Sequence, residues 1–364
     1  MTNRIWLGLA VSILFIALLL WRVDLGEVVE SLRKANYLYV IPGIVIYFVI
    51  ALAFRTVRWR LLLLGLRPIP VRRLLPVVVV GYMANNLLPM RLGELVRSHY
   101  VGQREGVSKT AALTTVGIER VVDGVVLLLL LGVMAFFLPL PGMVEGLARD
   151  TGIPLLLLVA GGTVPFVGVL ALLILTARNP AWLLRLIGQL TKLMPDKAGK
   201  QVVELAEKAV TGLSLLRNPR QMGMVFLLSL PVWLGEAAMY YVIGFSFGLE
   251  EALGGVWMMI PTMIAVTATS NLATAIPASQ GSIGPFELFA TGTLVVLGVS
   301  GETAAAYALT LHVALLAPVT LAGLVHLWGG KDSLRQLVQM SSKPGDASSG
   351  RWQNEGPPEV REVS

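Results

Sequence analysis

Two short segments of this chain place polar residues, Pro and Gly inside otherwise apolar sequence, and they are its best candidates for a binding site. In the first segment, P-M-R-L-G-E, Gly93 predicts a sharp turn, and a helix beginning near Glu94 would offer free amides and its positive dipole end to an anion. Arg91 adds a cation beside this helix start. The pattern favours binding of a phosphate-bearing headgroup; the alternative is that the arginines lie at the edge of the apolar region and Glu94 caps a helix. The candidate residues here are Asn86, Pro89, Arg91, Gly93, Glu94 and Arg97.

The second segment, A-S-Q-G-S-I-G-P-F-E, predicts another helix start, at Pro285, beside a polar and glycine-rich break. Its polar side chains would complete a pocket with the first segment. The candidate residues here are Asn271, Gln280, Gly281, Ser282, Gly284 and Glu287.

A third group, Glu119, Arg120 and Asp123, begins an apolar run. Arg120 and Asp123 have the spacing of neighbours on one helical face, as do Glu119 and Asp123. Ionisable residues inside a membrane span are costly, which favours a functional role in substrate binding. The alternative is a self-neutralised pair near the membrane interface. Glu236 belongs to the same class, whereas His312 and His326 are more typical of hydrogen bonds between helices.

The elements that position these residues follow from composition. Of 364 residues, 55% are hydrophobic and 14% are charged, with mean hydropathy +0.74, so lipid must surround most of the chain. The net charge of +7 fits basic cytoplasmic loops, and nucleic acid is not an expected partner. The fold class is an all-α polytopic membrane protein with about six full spans. We expect the spans at 5–21, 38–54, 112–138, 153–176, 222–247 and 303–328.

The interrupted segments 74–104 and 256–298 are predicted to be re-entrant hairpins, because irregular backbone at membrane depth needs protein or a water-filled cavity around it. Placing both termini in the cytoplasm then puts the basic segments, including the six arginines of 55–73, on the cytoplasmic side. The expected location is the cell inner (plasma) membrane.

The domain prediction is a transmembrane unit at 1–340 and a disordered cytoplasmic tail at 341–364. Within the unit, 178–221 predicts a basic amphipathic helix on the cytoplasmic side. It lies either on the anionic leaflet or against the protein's own membrane domain.

The two hairpins also resemble each other in sequence. G-V-S-K-T-A-A begins at Gly106, and G-V-S-G-E-T-A-A begins at Gly298. Three predicted spans lie between the copies, so the second copy is inverted. Inverted repeats with broken helices and a midplane site are typical of secondary transporters.

Several function classes lack their motifs. The chain has no Cys, no P-loop, no H-E-x-x-H and no G-x-S-x-G, and its three histidines have no metal-binding spacing. We therefore expect no cofactor, no metal and no recognised enzymatic activity.

The N-x-x-P-x-R-x-G-E element, the G-V-S-K-T-A-A stretch, E-R-x-x-D at 119–123 and the 271–287 stretch together resemble the lysylphosphatidylglycerol synthetase transmembrane-region family, also called flippase-like or UPF0104. The resemblance implies a membrane domain that moves a lipid, such as an aminoacylated phosphatidylglycerol, between leaflets. The soluble aminoacyltransferase domain of two-domain members has no counterpart here, so we expect a stand-alone member without synthetase activity.

The leading hypothesis is therefore a translocator of an anionic or aminoacylated phospholipid or a related lipid. The alternative is a membrane enzyme, or a subunit of one, acting on polyprenyl-phosphate-linked substrates, with acidic candidates Asp24, Glu27 and Glu30. A third hypothesis is a scaffold. Membrane lipids are the expected partners. A separate lipid-modifying enzyme is a further partner considered, and the chain is also considered as a homo-oligomer.

Overall fold

The computed structural model describes residues 2–21, 23–88, 92–138, 154–191, 196–213, 218–276 and 278–328. Within these residues the chain is α-helical and contains no strand, which confirms the predicted fold class. The helices of the described residues are α1 Thr2–Leu20, α2 Leu25–Lys34, α3 Val40–Ile46, α4 Ala53–Leu63, α5 Val71–Leu87, α6 Gly93–Glu105, α7 Lys109–Met134, α8 Leu155–Arg178, α9 Pro180–Leu190, α10 Asp196–Gly212, α11 Pro219–Gly244, α12 Leu249–Ala252, α13 Val256–Ala273, α14 Pro285–Val296 and α15 Gly301–Trp328.

By length and composition, four helical stretches of the described residues can cross a membrane: Tyr37–Leu63, Pro219–Phe247, Val256–Ala273 and Gly301–Trp328. Two bent helix pairs raise this number to six if each pair counts as one span. The first pair joins α1 to α2 at 85°, and the second joins α8 to α9 at 97°. Helix α7, with 26 residues, is also long enough, and it carries the three ionisable residues noted above.

Both interrupted segments form pairs of packed helices. Hairpin 1 consists of α5 and α6, and hairpin 2 consists of α13 and α14. In hairpin 1, Gly93 was expected to make a sharp turn, and it is the first residue of helix α6, without a positive φ. A Cβ there would come within 2.2 Å of the Gly81 carbonyl oxygen, so the residue is small because the two helices touch at this point.

In hairpin 2 the break itself requires unusual backbone. Helix α13 ends at Ala273, and farther along the break Gly281, Ser282 and Gly284 all have positive φ, at 66°, 60° and 103°, which lies outside the α-helical region. Helix α14 then restarts at Pro285, and the Glu287 carboxylate accepts a hydrogen bond from the Gly284 amide at 2.7 Å.

The contacts between the two copies follow a two-fold pattern. Hairpin 1 is followed by α7 and hairpin 2 by α15, and each pair packs together. The first helix of each hairpin also packs against the span of the other copy, α5 on α15 and α13 on α7. This exchange of partners is the arrangement expected of a two-fold-related repeat.

The segment 178–221 contains two helices, α9 and α10. Helix α10 packs against α7, with Val210 buried and Gly212 so close to Ala111 and Thr114 that a Cβ would touch them. Two placements were considered for this segment, on the lipid leaflet or against the protein's own membrane domain. Helix α10 therefore has the second placement.

One span was placed wrongly. The second span was expected to end at residue 54, with Arg55 and Arg58 in a cytoplasmic loop. The helical stretch instead runs from Tyr37 to Leu63 through a π-turn at Tyr47–Leu52. Both arginines are buried, at 4% and 0% exposure, because carboxylates from other helices neutralise them.

Candidate functional site

A cavity of about 220 Å³ lies between α5 of hairpin 1, the break of hairpin 2, and helices α4, α7, α11, α13 and α15. Its lining combines cations, carboxylates and amides with aromatic and aliphatic side chains. Asn85, on hairpin 1, has a buried side-chain oxygen without a hydrogen-bond partner among the described residues. The polar and aromatic lining residues are Tyr47, Arg55, Tyr82, Asn85, Asn86, Arg120, Asp123, Trp233, Glu236, Asn271, Thr274, Ser282, Phe286 and His312.

Arg55 and Glu236 form the buried ion pair on one wall of the cavity. Arg55 Nη2 lies 2.5 Å from Glu236 Oε2, and Nη1 donates to the Tyr82 hydroxyl at 2.8 Å. The other carboxylate oxygen, Oε1, accepts from the Asn271 amide at 2.8 Å and from the Tyr240 hydroxyl at 3.2 Å. Both oxygens are thus engaged, which offsets the cost of burying the charge.

Arg58 lies behind this wall and joins two helices. Its guanidinium contacts Asp123 at 2.5 Å and Glu119 at 3.0 Å on α7, and donates to Ser229 on α11 at 2.7 Å. Trp233 donates its indole N–H to Asp123 at 3.1 Å. Asp123 is therefore held in place by α4 and α11, and its remaining contact is with Arg120 at 3.9 Å.

Helix α6 of hairpin 1 is attached to α7 by two further ion pairs. Arg97 donates to Glu119 at 3.0 Å and stacks on the Trp59 ring, 3.8 Å from its centre. Glu94 accepts from Arg120 at 2.9 Å. The Arg120 side chain is 24% exposed, against 4% for Arg55, so Arg120 is the lining cation more open to a guest.

Hairpin 2 faces the same cavity with a histidine–carboxylate pair. In His312 of α15, Nδ1 lies 2.5 Å from Glu287 Oε1, and Nε2 lies 3.0 Å from the Gly281 carbonyl oxygen. The Phe286 ring stacks on the imidazole at 4.2 Å between centres. On the outer side, Gly284 packs so closely on α1 that a Cβ would lie 2.9 Å from the Ser12 carbonyl oxygen.

The model of the lysylphosphatidylglycerol synthase TM region matches residues 5–323. The chain belongs to this family. Its relatives include the protein named glycosyltransferase AglD from Haloferax volcanii, 27% identical over 87% of this chain and 52% of that protein. Two UPF0104 membrane proteins from Methanothermobacter thermautotrophicus are 25% and 26% identical, over 82% and 87% of this chain and 87% and 90% of their own length. The chain thus spans about half the length of the first relative, and no solved structure matches.

Within this member of the lysylphosphatidylglycerol synthase TM family, the predicted residues divide into four groups. The cavity is lined by Asn86, Arg120, Asp123, Asn271, Gly281 and Ser282. Residues that contact or support this lining without belonging to it are Gly93, Glu94, Arg97, Glu119, Gly284 and Glu287. Gln280 is exposed on the break. Pro89 and Arg91 lie outside the described residues, as do Pro277 and the tail at 341–364.

Sequence reasoning missed Arg55 and Arg58 as site residues. They stand at the end of an apolar run, where arginine is usually an interface residue. A signal was nonetheless present, because the apolar sequence resumes at Leu61–Leu64 after them and the two arginines are three residues apart on one helical face.

The ion pairs around the cavity balance in charge. Among the described residues they join four arginines to four carboxylates: Arg55, Arg58, Arg97 and Arg120 with Glu94, Glu119, Asp123 and Glu236. The described residues contain no cluster of three His, Asp or Glu side chains able to hold a metal ion. The arrangement can therefore bind a polar, charged headgroup through side chains that are already oriented.

Proposed function

We propose that this chain is a lipid translocator that moves an anionic or aminoacylated phospholipid, or a related lipid, between leaflets with its headgroup in the central cavity. The observation that carries the proposal is the partly exposed Arg120 guanidinium on a cavity lined by both hairpins. An arginine can bind two phosphate oxygens at once.

The size of the cavity supports a headgroup rather than a whole lipid. Pockets that enclose a drug-sized ligand measure about 300–1,000 Å³, whereas this cavity measures about 220 Å³. In the proposal the acyl chains therefore stay in the bilayer while the headgroup passes through the protein. Rocking of the two repeat halves around the cavity would open it to each leaflet in turn.

The second candidate is a membrane enzyme, or a subunit of one, acting on polyprenyl-phosphate-linked substrates. The name of the Haloferax relative, a glycosyltransferase, favours it. Against it, each carboxylate oxygen of Asp123 and Glu236 already accepts a hydrogen bond. A carboxylate occupied in this way is a poor general base, which supports transport over catalysis.

The proposal places the chain in the cell inner membrane with both termini in the cytoplasm. A separate lipid-modifying enzyme would supply a modified lipid where one is needed. Membrane lipids are the proposed ligands.

Reconstitution tests the proposal. The purified chain in phosphatidylcholine liposomes should accelerate leaflet exchange of phosphatidylglycerol or of a polyprenyl phosphate, each labelled with a fluorophore on its hydrophobic chain and quenched from outside by dithionite. Exchange no faster than in empty liposomes for both probes would remove the translocator proposal. Transfer of a sugar to the polyprenyl phosphate by the purified chain would support the enzyme instead.

Arg120→Gln should slow exchange about tenfold to a hundredfold, because a charge-assisted hydrogen bond to phosphate contributes about 1.5–3 kcal/mol. Arg73→Gln is the matched control, since Arg73 is 55% exposed and pairs with Glu105 away from the cavity. The double variant Glu94→Gln/Arg120→Gln separates binding from packing, because it leaves no unpaired carboxylate. If the double variant restores wild-type exchange, Arg120 serves only to neutralise Glu94. Arg91→Ala tests the remaining predicted cation in the same assay.

A further inference from the structure

His312 is the one residue of α15 that reaches both the cavity and the break of hairpin 2 through hydrogen bonds in the described structure. The imidazole and the Glu287 carboxylate are each 5% exposed. Nδ1 lies 2.5 Å from Glu287 Oε1, and Nε2 lies 3.0 Å from the Gly281 carbonyl oxygen. Both ring nitrogens are therefore in hydrogen-bond contact.

These two contacts fix the number of protons on the pair. A carbonyl oxygen only accepts hydrogen bonds, so the proton between Gly281 and His312 resides on Nε2. The contact between Nδ1 and Oε1 needs a second proton, carried either by the imidazole or by the carboxyl group. With both protons present the pair is neutral overall. With one of them gone it carries a net negative charge, and one of the two contacts is lost.

We propose that the Glu287–His312 pair is the proton site that couples lipid transport to a proton gradient, with one proton moving together with each anionic headgroup. The inference rests on the proposed translocator function. A protonated, neutral pair beside the cavity favours an anion, whereas the negatively charged pair repels it. Because such linkage is reciprocal, the bound anion raises the affinity of the pair for its proton by the same factor.

The proton also controls the shape of the break. When one proton leaves, the remaining one can bridge to Glu287 or to Gly281, but not to both. Gly281 lies in the positive-φ turn with Ser282, which lines the cavity. Loss of the bond from Nε2 releases this turn from α15, so proton release and movement of hairpin 2 are linked through one contact.

The other charged and titratable groups near the pair come from every element around the cavity. On α4, α7 and α11, the ions are already matched within the pairs described above, and Tyr240 of α11 contacts the Phe286 ring edge-on. Helix α13, which packs on α14, contains no charged residue between Val256 and Ala273. The groups sharing the cavity with His312 are Tyr47, Arg55, Tyr82, Arg120, Asp123 and Glu236.

Glu287→Gln isolates the proton from the packing. A glutamine oxygen can still accept from the Gly284 amide, and its N–H group can donate to Nδ1 of a neutral His312. Nε2 then keeps its proton and can still donate it to the Gly281 carbonyl oxygen. All three contacts are preserved in this variant, but the exchangeable proton is gone.

The experiment uses the full chain in liposomes with acyl-chain-labelled phosphatidylglycerol, a pH difference and, separately, a potassium diffusion potential. In the wild type, lipid should move faster from the acidic to the alkaline side. One proton per lipid sustains a concentration ratio of at most about tenfold per pH unit. A lipid anion and a proton together carry no charge, so the potential should have no effect. Glu287→Gln should lose the pH bias and respond to the potential, whereas the control Glu302→Gln on α15 should behave as wild type.

Each outcome decides one of the claims. Exchange without a pH bias in the wild type, or a bias that persists in Glu287→Gln, overturns the coupling and leaves the translocator intact. If neither the wild type nor any variant exchanges any of the probes, both the coupling and the translocator proposal are overturned. If Glu287→Gln is the one variant that stops exchange, a second measurement tests the coupling. Glycerol 3-phosphate is added to the protein in weakly buffered detergent, and the uptake of protons is measured. Uptake by the wild type and none by the variant supports the coupling, and equal uptake by both overturns it.

Discussion

Hairpin 1 and hairpin 2 each consist of two packed helices, yet different chemistry attaches the second helix of each one to its neighbours. Helix α6 of hairpin 1 is joined to α7 by the ion pairs Arg97–Glu119 and Glu94–Arg120. Helix α14 of hairpin 2 is joined to its neighbours by the His312 contact and by a hydroxyl pair, Thr269 with Thr293 at 2.8 Å. Two arginine–carboxylate ion pairs thus attach α6 of hairpin 1, whereas a histidine–carboxylate pair and a hydroxyl pair attach α14 of hairpin 2. The difference suggests that hairpin 2 is the half that changes its contacts.

The largest effect should come from the buried charge of hairpin 1. Arg97→Met leaves Glu119 with one cation instead of two and removes the stack on Trp59, so we expect the free energy of unfolding to fall by about 3 kcal/mol. Equilibrium unfolding in mixed detergent micelles measures this change in the free energy of unfolding. Arg73→Met, at an exposed ion pair, should cost less than about 1 kcal/mol. Equal losses in the two variants would contradict the claim that ion pairs anchor hairpin 1.

The next effect concerns packing within the same hairpin. Gly93→Ala places a methyl group within 2.4 Å of the Asn85 backbone nitrogen, so α5 and α6 must separate at a cost of about 2 kcal/mol. Gly117 of α7 is the matched control, because nothing lies within 4 Å of its added Cβ. Gly117→Ala should be neutral or stabilise by up to about 1 kcal/mol. If both substitutions stabilise the protein to the same extent, the close contact in hairpin 1 is wrong.

The smallest effect should be at the hydroxyl pair of hairpin 2. Thr293→Val should lower the free energy of unfolding by about 0.6 kcal/mol, a typical value for a hydrogen bond between membrane helices. Thr211→Val on α10 removes a hydroxyl that bonds only to its own helix, at Glu207, and should change stability less. A cycle with Thr269→Val isolates the pair. A coupling above about 2 kcal/mol would show that α14 is attached to its neighbour as firmly as α6 is attached to α7.

The sequence predicted the helical architecture well because apolar length and Pro/Gly breaks are local signals. The bounds of hairpin 2 and of the spans containing α7, α11 and α15 fall close to the observed helices. It also selected Arg120 and Asp123, since three ionisable residues inside one apolar run are conspicuous.

The partners of these residues could not be predicted in the same way. Asp123 contacts Arg58, 65 residues earlier, and Trp233, 110 residues later, and no local pattern links the three. Glu287 was recognised as an ionisable residue in an apolar segment, but its partnership with His312 depends on how α14 packs against α15. Such contacts follow from tertiary packing, which periodicity does not encode.

The π-turn at Tyr47–Leu52 has a consequence for the orientation of the arginines that follow it. Each residue added to an α-helix rotates everything after it by about 100°, and a π-turn accommodates one additional residue without ending the helix. The part of the helix before the turn and the part after it can therefore point different faces inward. Tyr47 and Ala51 pack in the core with α11, while Arg55 and Arg58 reach carboxylates on two different helices. The additional residue therefore rotates the second part of the helix so that the guanidinium groups of Arg55 and Arg58 point into the protein rather than towards lipid.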